Sequence, residues 1–330
     1  MTLVANTRRL AGVFFSSLVL VACATPPQTR ELLTATETTL PPAVELMATP
    51  FYPQKKYQCG PAALATVLGA HAVSVTPDEL VDAVYVPALK GSLPEEITAT
   101  ARRYGMLAYP LAASLEALLD EVAHGNPVLV MQNLGTRWLQ IWHFAVVIGF
   151  DLENGEVILR SGTTRRWRTT LATFERTWSR SDYWALVILP AGNIPASASF
   201  PTYLQAARDL EVSGQPAAAL DAYQAATQHW PEQPRAWMAW GNSLYATGEF
   251  VAAENAFRQV LKLSPDNPRG WNNLAYALSQ TGCPQQVQLA AACAVRLGEN
   301  DSNYRDTLAE IESLAEGTDG PQCVPVECGE

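Results

Sequence analysis

The last third of the chain carries a repeat with a period of 34 residues. Four columns of residues agree at this period: Tyr203, Trp237 and Trp271; Leu210, Leu244 and Leu278; Gly214, Gly248 and Gly282; Ala222, Ala256 and Ala290. A unit of this length holds a pair of helices that cannot bury its apolar face alone, so successive units stack into a solenoid. Three units meet the usual minimum for stability.

In spacing and in these columns the repeat resembles the tetratricopeptide repeat. The resemblance implies an all-α solenoid over residues 202–302, closed by residues 303–330, which would form a capping helix from Asn303 to Ala315 and a tail. Such arrays bind a peptide or a protein partner in their concave face, although the resemblance identifies no partner. Residues 191–201, with two prolines among small residues, predict a linker before the first repeat.

A cysteine stands at the start of an apolar helical pattern in the first half of the chain. Cys59 precedes Pro61 and a run of alanine, leucine and valine at helical spacing, residues 62–68. The amides and the dipole of a helix N-terminus favour thiolate over thiol, which makes such a cysteine a nucleophile near neutral pH. The alternative interpretation is a buried structural cysteine, because cysteine is often found inside proteins.

A histidine opens a strand-like run of apolar and β-branched residues. His143 begins the sequence HFAVVIGFD, residues 143–151. Alone it would be an ordinary core or surface residue, but paired with Cys59 it is a candidate general base. The preceding stretch, TRWLQIW, residues 136–142, contains aromatic side chains that either line a substrate groove or cover the sheet.

The runs QCGPAALATVL, HFAVVIGFD and GEVILRSG together resemble the papain-like peptidase domain of bacteriocin-exporting ABC transporters, which cuts leader peptides after a double glycine. The match covers roughly residues 50–190. It implies a papain-like fold with Cys59 as nucleophile and His143 as base. It also implies that a glutamine before the cysteine stabilises the oxyanion with the Cys59 amide; Gln54 is the candidate and Gln58 the alternative.

The sequence departs from that family where the third member of the triad is expected. Ser161, before Gly162, occupies the position that holds an aspartate before a proline. A serine can orient the imidazole but cannot stabilise the imidazolium. Asp151 is the nearest carboxylate in sequence, but at the far end of the strand it would be about 26 Å from His143. Asp182, at the start of the last strand-like run, is a second carboxylate to consider.

The order of predicted elements in this half is helices first and strands later. Two helices are predicted to begin with capping boxes, Thr76 with Glu79 and Ser92 with Glu95, and a third covers SLEALLDEVAHG, residues 114–125. Five strand-like runs follow, with one short helix, LATFERTW, between the last two. This order is typical of an α+β domain with an antiparallel sheet, which agrees with the papain-like fold.

The N-terminus predicts export and lipidation. Residues 1–22 read as a signal peptide, and the run Leu20, Val21, Ala22, Cys23 resembles the lipobox of bacterial lipoproteins, with Cys23 as the lipidated residue. The apolar core is too short to span a membrane as a helix. Ala24 rather than aspartate after the cysteine predicts sorting to the outer membrane, facing the periplasm. Residues 23–49 would then be a lipidated cysteine and a tether.

Six cysteines are present, and Cys23 is reserved for the lipid. In an oxidising compartment the four near the C-terminus, Cys283, Cys293, Cys323 and Cys328, are disulfide candidates, which leaves Cys59 as a free thiol. Cys283 and Cys293 would lie about 15 Å apart along a helix, too far for a disulfide. Either both bond to the tail cysteines, which we favour, or Cys323 and Cys328 pair with each other.

Composition narrows the function further. The hydrophobic content of 48% and charged content of 16% describe a globular chain, and a formal charge of −10 argues against a nucleic-acid partner. The sequence therefore predicts a lipid-anchored cysteine peptidase without a metal or cofactor, acting on a peptide or protein. Two alternatives remain: a papain-like module that binds peptides without cleaving them, and an amidase or acyl transferase acting on peptidoglycan stem peptides.

Overall fold

The computed structural model describes residues 25–136, 138–298, 301–314 and 318–328. The predicted signal peptide and Cys23 lie outside the described residues. Up to residue 190 the elements are, in order, α1 (Pro27–Thr34), β1 (Ala43–Glu45), α2 (Cys59–Ala70), α3 (Pro77–Val84), β2 (Tyr85–Val86), β3 (Gly91–Ser92), α4 (Pro94–Arg103), β4 (Met106–Pro110), α5 (Leu115–Ala123), β5 (Val128–Asn133), β6 (Trp142–Asp151), β7 (Glu156–Ser161), β8 (Thr164–Thr170), α6 (Leu171–Ser179) and β9 (Ala185–Pro190).

Seven of these strands form one antiparallel sheet, in the order β4, β9, β5, β6, β7, β8. The seventh strand, β1, pairs with residues 149–151 of β6, beyond the point where β5 stops pairing with it. Residues alternate between the two faces of β6, so that Phe144, Val146 and Ile148 face α2 while Ala145 and Val147 face α5 and α6. The α+β prediction is confirmed.

Helix α2 lies at the centre of one layer. Every residue from Cys59 to Leu68 is buried, which is typical of a helix covered on all sides rather than an amphipathic one. Gly60 permits the close approach of β3, because a Cβ added there would lie 2.2 Å from Oγ of Ser92. The sheet, α3 and α4 therefore fix the N-terminus of α2 in position.

One predicted capping box is present and the other is not. At α3, Glu79 Oε2 accepts a hydrogen bond of 2.7 Å from the Thr76 amide, as predicted. The Ser92 box was wrong, since α4 begins at Pro94 with Leu93 as its N-cap. Ser92 instead belongs to β3, paired with Tyr85, and its buried hydroxyl lies against Gly60. Ser92 is therefore unavailable to cap α4, because it pairs with Tyr85 in a strand.

The second half consists of seven helices among the described residues: α7 (Phe200–Val212), α8 (Pro216–His229), α9 (Pro234–Thr247), α10 (Phe250–Leu263), α11 (Pro268–Thr281), α12 (Pro284–Leu297) and α13 (Ser302–Leu314). The repeated glycines 214, 248 and 282 each follow the first helix of a pair with φ between 77° and 85°, a conformation that glycine adopts without strain. The repeated alanines 222, 256 and 290 are fully buried where the paired helices meet.

The first repeat packs directly on the sheet. Leu107 and Tyr109 of β4 share one apolar core with Tyr203 and Leu210 of α7, and the Tyr203 hydroxyl donates to the carbonyl of Ala191 at 3.1 Å. An ion pair between Arg102 and Asp209 crosses the same junction. The sequence pattern missed β4. The predicted linker connects β9 to α7, and its carbonyls at Ala191 and Asn193 accept hydrogen bonds from the Tyr203 hydroxyl.

The predicted tether also differs from the structure. Helix α1 begins at Pro27 and docks through its first amides, since the Gln28 and Thr29 amides donate to the buried carboxylate of Glu175 at 3.1 and 2.6 Å. Further on, β1 joins the sheet. The composition of residues 24–49 suggested a flexible segment because the contacts that order it come from distant residues. Within the described residues, no helix is long and apolar enough to cross a membrane.

Two disulfides tie the tail to the last repeat. Cys283 bonds to Cys323 and Cys293 bonds to Cys328, which is the first of the two predicted arrangements. Cys59 is the free cysteine of the described residues, and it is buried. The bonded tail thus covers the open end of the solenoid core, where Val326 packs beside α12.

Candidate active site

Three elements meet at the site: the N-terminus of α2, the first residues of β6 and the last residue of β7. Cys59 is the first residue of α2, and its thiol is hydrogen-bonded by the main-chain amides of Phe144, Gly60 and Cys59 itself. Burial is the largest influence and raises the pKa of the Cys59 thiol, while the three amides lower it. The helix N-terminus acts in the predicted direction, but desolvation outweighs it.

His143 and Ser161 are brought together across β6 and β7. Nε2 of His143 lies 2.9 Å from Oγ of Ser161, and the histidine is buried with 9% of its surface exposed. The neighbouring residue, Phe144, supplies the amide that bonds the Cys59 thiol. The predicted nucleophile, base and orienting residue therefore occupy one end of the sheet. This contact uses Nε2, which leaves Nδ1 of His143 as the nitrogen available to a thiol proton.

No carboxylate assists this histidine among the described residues. Burial lowers the pKa of His143 to about 4, and no charged group counteracts that shift. Asp151 lies at the far end of β6, where it bonds Asn154 and Arg168. Asp182 makes no hydrogen bond or ion pair with His143 in the described structure. The thiol with a raised pKa and the imidazole with a lowered pKa both rest uncharged.

A serine hydroxyl also fixes the imidazole less firmly than a carboxylate would. A carboxylate accepts hydrogen bonds only, so it holds the proton on Nε2 and leaves Nδ1 free to accept. The Ser161 hydroxyl can accept from a protonated Nε2 or donate to a bare one. In the second arrangement Nδ1 carries the proton and cannot take another from Cys59. The position of His143 suits a general base, but the Ser161 hydroxyl does not force Nδ1 to remain unprotonated.

Gln54 and Gln58 take different positions. Gln54 lines a narrow pocket together with Cys59 and Ser161, and its main-chain amide donates to the carbonyl of Gly162 at 3.0 Å. Gln58 is the N-cap residue of α2, and its buried Oε1 has no hydrogen-bond partner. Gln54 is thus held beside the residue that follows Ser161, on the wall of the pocket that contains the thiol.

Sequence reasoning missed Arg160, the residue before Ser161. Arg160 is 6% exposed and also lines the Cys59 pocket. Its guanidinium donates to the carbonyls of Met47, Thr49 and Arg165, at distances from 2.5 to 3.3 Å. It thereby holds the segment that leads to Gln54 against β7. A charged residue on the inward face of an otherwise apolar strand was the signal that could have revealed it.

The chemistry of the site is that of a thiol, an imidazole and hydrogen-bond donors. Within the described residues, no group of histidine, cysteine and acidic side chains could hold a metal ion. The arrangement can attack a carbonyl carbon and transfer one proton. Those two capabilities suffice for acyl transfer to sulfur.

Comparisons with known protein families identify two regions of the chain. Residues 47–185 match the Peptidase_C39 like family. Residues 204–268 and 238–292 match the tetratricopeptide repeat. The chain therefore contains a C39-like peptidase domain followed by tetratricopeptide repeats, as the resemblances implied. No curated protein matches the chain.

Several solved structures are similar to parts of the chain. The peptidase domain of Streptococcus ComA, a bifunctional ABC transporter, is 19% identical and covers 43% of this chain and 98% of its own, with a TM-score of 0.35. A double glycine motif protease from an AMS/PCAT transporter, in complex with its leader peptide, is 20% identical over 43% of this chain and 91% of its own, with a TM-score of 0.33. The first tetratricopeptide repeat domain of Spaghetti (RPAP3), bound to an HSP90 peptide, is 13% identical over 34% of this chain and 90% of its own, with a TM-score of 0.33. Likenesses at this level support no conclusion about substrates.

Proposed function

With a C39-like peptidase domain and tetratricopeptide repeats in one chain, we propose that the protein is a cysteine peptidase of the cell envelope, lipid-anchored at Cys23 and facing the periplasm from the outer membrane. Its substrate is a peptide or a protein, and the repeats bind a protein partner. The observation that carries the proposal is the hydrogen bond from His143 to Ser161 at the end of β6, beside the amide of Phe144 that bonds the Cys59 thiol.

The reaction begins from an uncharged pair. The Cys59 sulfur attacks the carbonyl carbon while its proton passes to Nδ1 of His143, and the carbonyl oxygen gains the negative charge. The Cys59 amide and the Gln54 side chain stabilise that oxyanion. His143 then returns the proton to the leaving amine as the C–N bond breaks, which leaves a thioester. Water, giving a proton to His143, hydrolyses the thioester and restores the thiol.

With Ser161 in place of a carboxylate, the enzyme would be slower than one that has a complete triad. Charge separation in the transition state requires an imidazolium at a buried position, where burial holds the His143 pKa at about 4. A carboxylate would stabilise the imidazolium, and a hydroxyl does so only through its dipole. The rate therefore depends on substrate binding to position the carbonyl and exclude water.

The test is labelling of the mature protein with a peptidyl electrophile, followed by mass spectrometry of the modified residue. We expect labelling at Cys59 in the wild type, none in Cys59→Ala, and at least a tenfold lower rate in His143→Ala. Cleavage of a peptide library should follow the same order. Labelling that is absent, or that does not depend on His143, would contradict the proposal.

Three observations favour a second function, a peptide-binding module without turnover. The raised pKa of Cys59, the lowered pKa of His143 and the absence of a neighbouring carboxylate within the described residues are each typical of a site that has lost its catalytic charge. Under this alternative, a peptide that binds the wild type would bind Cys59→Ala equally well and would be recovered uncut from both. Cleavage by the wild type alone would exclude it.

A further inference from the structure

The hairpin between β5 and β6 exposes apolar side chains at its tip. We refer to residues 134–136 and 138–142 as the hairpin loop. Trp138 is 96% exposed, Leu139 70% and Ile141 53%, and Leu134 and Trp142 are each nearly half exposed. Single exposed apolar residues are common on proteins, but five within nine positions form a patch that marks an interaction site.

Six amides of this loop make hydrogen bonds within the hairpin. Oδ1 of Asn133 accepts from the amides of Gly135 and Ile141 at 3.0 Å each, and Oγ1 of Thr136 accepts from Trp138 and Leu139. Two more amides bond across the hairpin, Leu134 to Ile141 and Thr136 to Leu139, both at 2.8 Å. A loop whose amides are paired internally can enter an apolar medium without the cost of unpaired polar groups.

The described chain begins at the same end of the molecule as this loop. The Gln28 side chain bonds the Leu115 amide and the Ala113 carbonyl just before α5, level with the end of β5. Helix α1 then runs away from the loop, because Leu33 at its other end lies beside Gly155, in the turn at the far end of β6. The first residues of α1 therefore lie at the end of the domain where the hairpin loop projects.

Helix α6 connects the two features. Glu175 receives the first amides of α1, and Thr177, half a turn further on, bonds Gln132 at the end of β5 at 2.6 Å. Arg180, just after the helix, donates to the carbonyl of Gly135 in the loop at 2.5 Å. Helix α6 and the residue after it thus hold both the start of α1 and the base of the hairpin loop.

We propose that the hairpin loop inserts into the bilayer to which Cys23 is attached, with Trp138, Leu139 and Ile141 at the boundary between headgroups and acyl chains. The inference rests on the lipid anchor of the proposed function. Gln28 comes five positions after Cys23, a stretch that spans at most about 18 Å, so a lipid on Cys23 holds this end of the protein close to the membrane. Tryptophan and aliphatic side chains together are typical of membrane interfaces.

The insertion orients the active site. Trp142 directly precedes His143, so the loop and the base are parts of one rigid hairpin. Two attachments, the lipid and the loop, fix the orientation of the domain where the lipid alone would leave it free to rotate. The catalytic end of the sheet then faces the membrane surface, and its substrates are peptide segments that lie along that surface.

Quenching of tryptophan fluorescence by lipids with brominated acyl chains tests the insertion. The full-length protein is reconstituted in phosphatidylcholine vesicles with and without the brominated lipid. We expect bromine-dependent quenching that falls by at least half in Trp138→Phe. Trp167→Phe is the matched control, because Trp167 is also an exposed tryptophan, at 50%, but lies on the edge strand β8. Quenching in this variant should equal that of the wild type.

Three outcomes decide the matter. Equal quenching in the wild type and Trp138→Phe would overturn the insertion. The insertion would also be overturned if Trp138 emission did not respond to brominated lipid but shifted when a peptide bound. That result would assign the loop to substrate binding. In Leu139→Ser/Ile141→Ser, reduced quenching with unchanged labelling of Cys59 supports it. Mass spectrometry of the N-terminus tests lipidation separately, since vesicles added to an unlipidated protein still report on the loop.

Discussion

The two ends of β6 have opposite electrostatic environments. At one end Asp151 accepts hydrogen bonds from Asn154 and Arg168, which lower its pKa, and Arg168 also pairs with Glu156. At the other end His143 is buried with its imidazole bonded to the Ser161 hydroxyl, and no carboxylate reaches it within the described residues. The ends are about 26 Å apart at the usual rise of a strand.

This difference shows where the charge of the domain is located. The carboxylates near β6 lie where water and arginines can solvate them, while the residues suited to catalysis lie in a dry environment that keeps them neutral. The fold supplies the geometry of a cysteine peptidase at the dry end. It does not supply the negative charge that would make an ion pair the resting state.

Placing a carboxylate at the dry end should give the largest effect. In Ser161→Asp the new carboxylate would accept from Nε2 of His143, fix the productive tautomer and stabilise the imidazolium. We expect the rate of Cys59 labelling by a peptidyl electrophile at neutral pH to rise by one to four orders of magnitude. Ser161→Ala is the control and should be no faster than the wild type. An unchanged rate in Ser161→Asp would show that charge does not limit the site.

The pH dependence of stability should report the same neutral histidine. An unfolded histidine binds its proton below a pKa of about 6.5, whereas folded His143 does so only near 4. The unfolded state therefore binds more protons between these values, and stability falls as the pH drops from 6.5 to 4 by about 3 kcal/mol. Above pH 6.5 this contribution is constant.

His143→Gln removes that titration and provides the comparison. Urea unfolding of both proteins across this pH range should show a shallower loss in the variant, because all other titrating groups are shared. Parallel curves for the two proteins would mean that His143 is protonated when folded and would contradict the neutral pair.

Substitution of two arginines on neighbouring strands would compare the contributions of the two ends of β6 to the free energy of unfolding. Arg160→Met, at the dry end, leaves the carbonyls of Met47 and Thr49 without their buried donor and should lower the free energy of unfolding by about 2 to 4 kcal/mol. Arg168→Met, at the charged end, breaks ion pairs that are partly exposed and should cost less, because exposed pairs contribute little. Equal losses in chemical denaturation would show that the two ends are not energetically different.

The sequence predicted the structure best in the tetratricopeptide repeats, where one pattern occurs three times. The glycine and alanine columns of the repeat correspond to helix ends and helix contacts, because stacking neighbours place the same demand on each unit. Local patterns failed where distant residues decide the structure. Ser92 pairs in a strand instead of capping α4, and α1 is ordered by Glu175, nearly 150 positions away.

For the site, local patterns brought Cys59 and His143 into consideration, and the family resemblance added Ser161. The structure places the three at one end of the sheet. Their protonation could not be predicted in the same way. The helix N-terminus at Cys59 suggested a lowered pKa, but the extent of burial, which decides the direction, depends on how β6 and α2 pack. The inward-facing charge of Arg160 could have been noticed, but its partners could not be predicted, because main-chain carbonyls are not specified by residue type.

The pH dependence of Cys59 alkylation tests the uncharged pair most directly. A small alkylating agent reacts with the thiolate, so its rate against pH reports the thiol pKa. If the pair is uncharged, the alkylation rate should rise once, at a pKa above the ordinary thiol value of about 8.5, with no reactive plateau at acidic pH. Such a plateau should appear in Ser161→Asp. A plateau near pH 5 in the wild type that disappears in His143→Ala would establish a resting thiolate and imidazolium, and would contradict the uncharged pair.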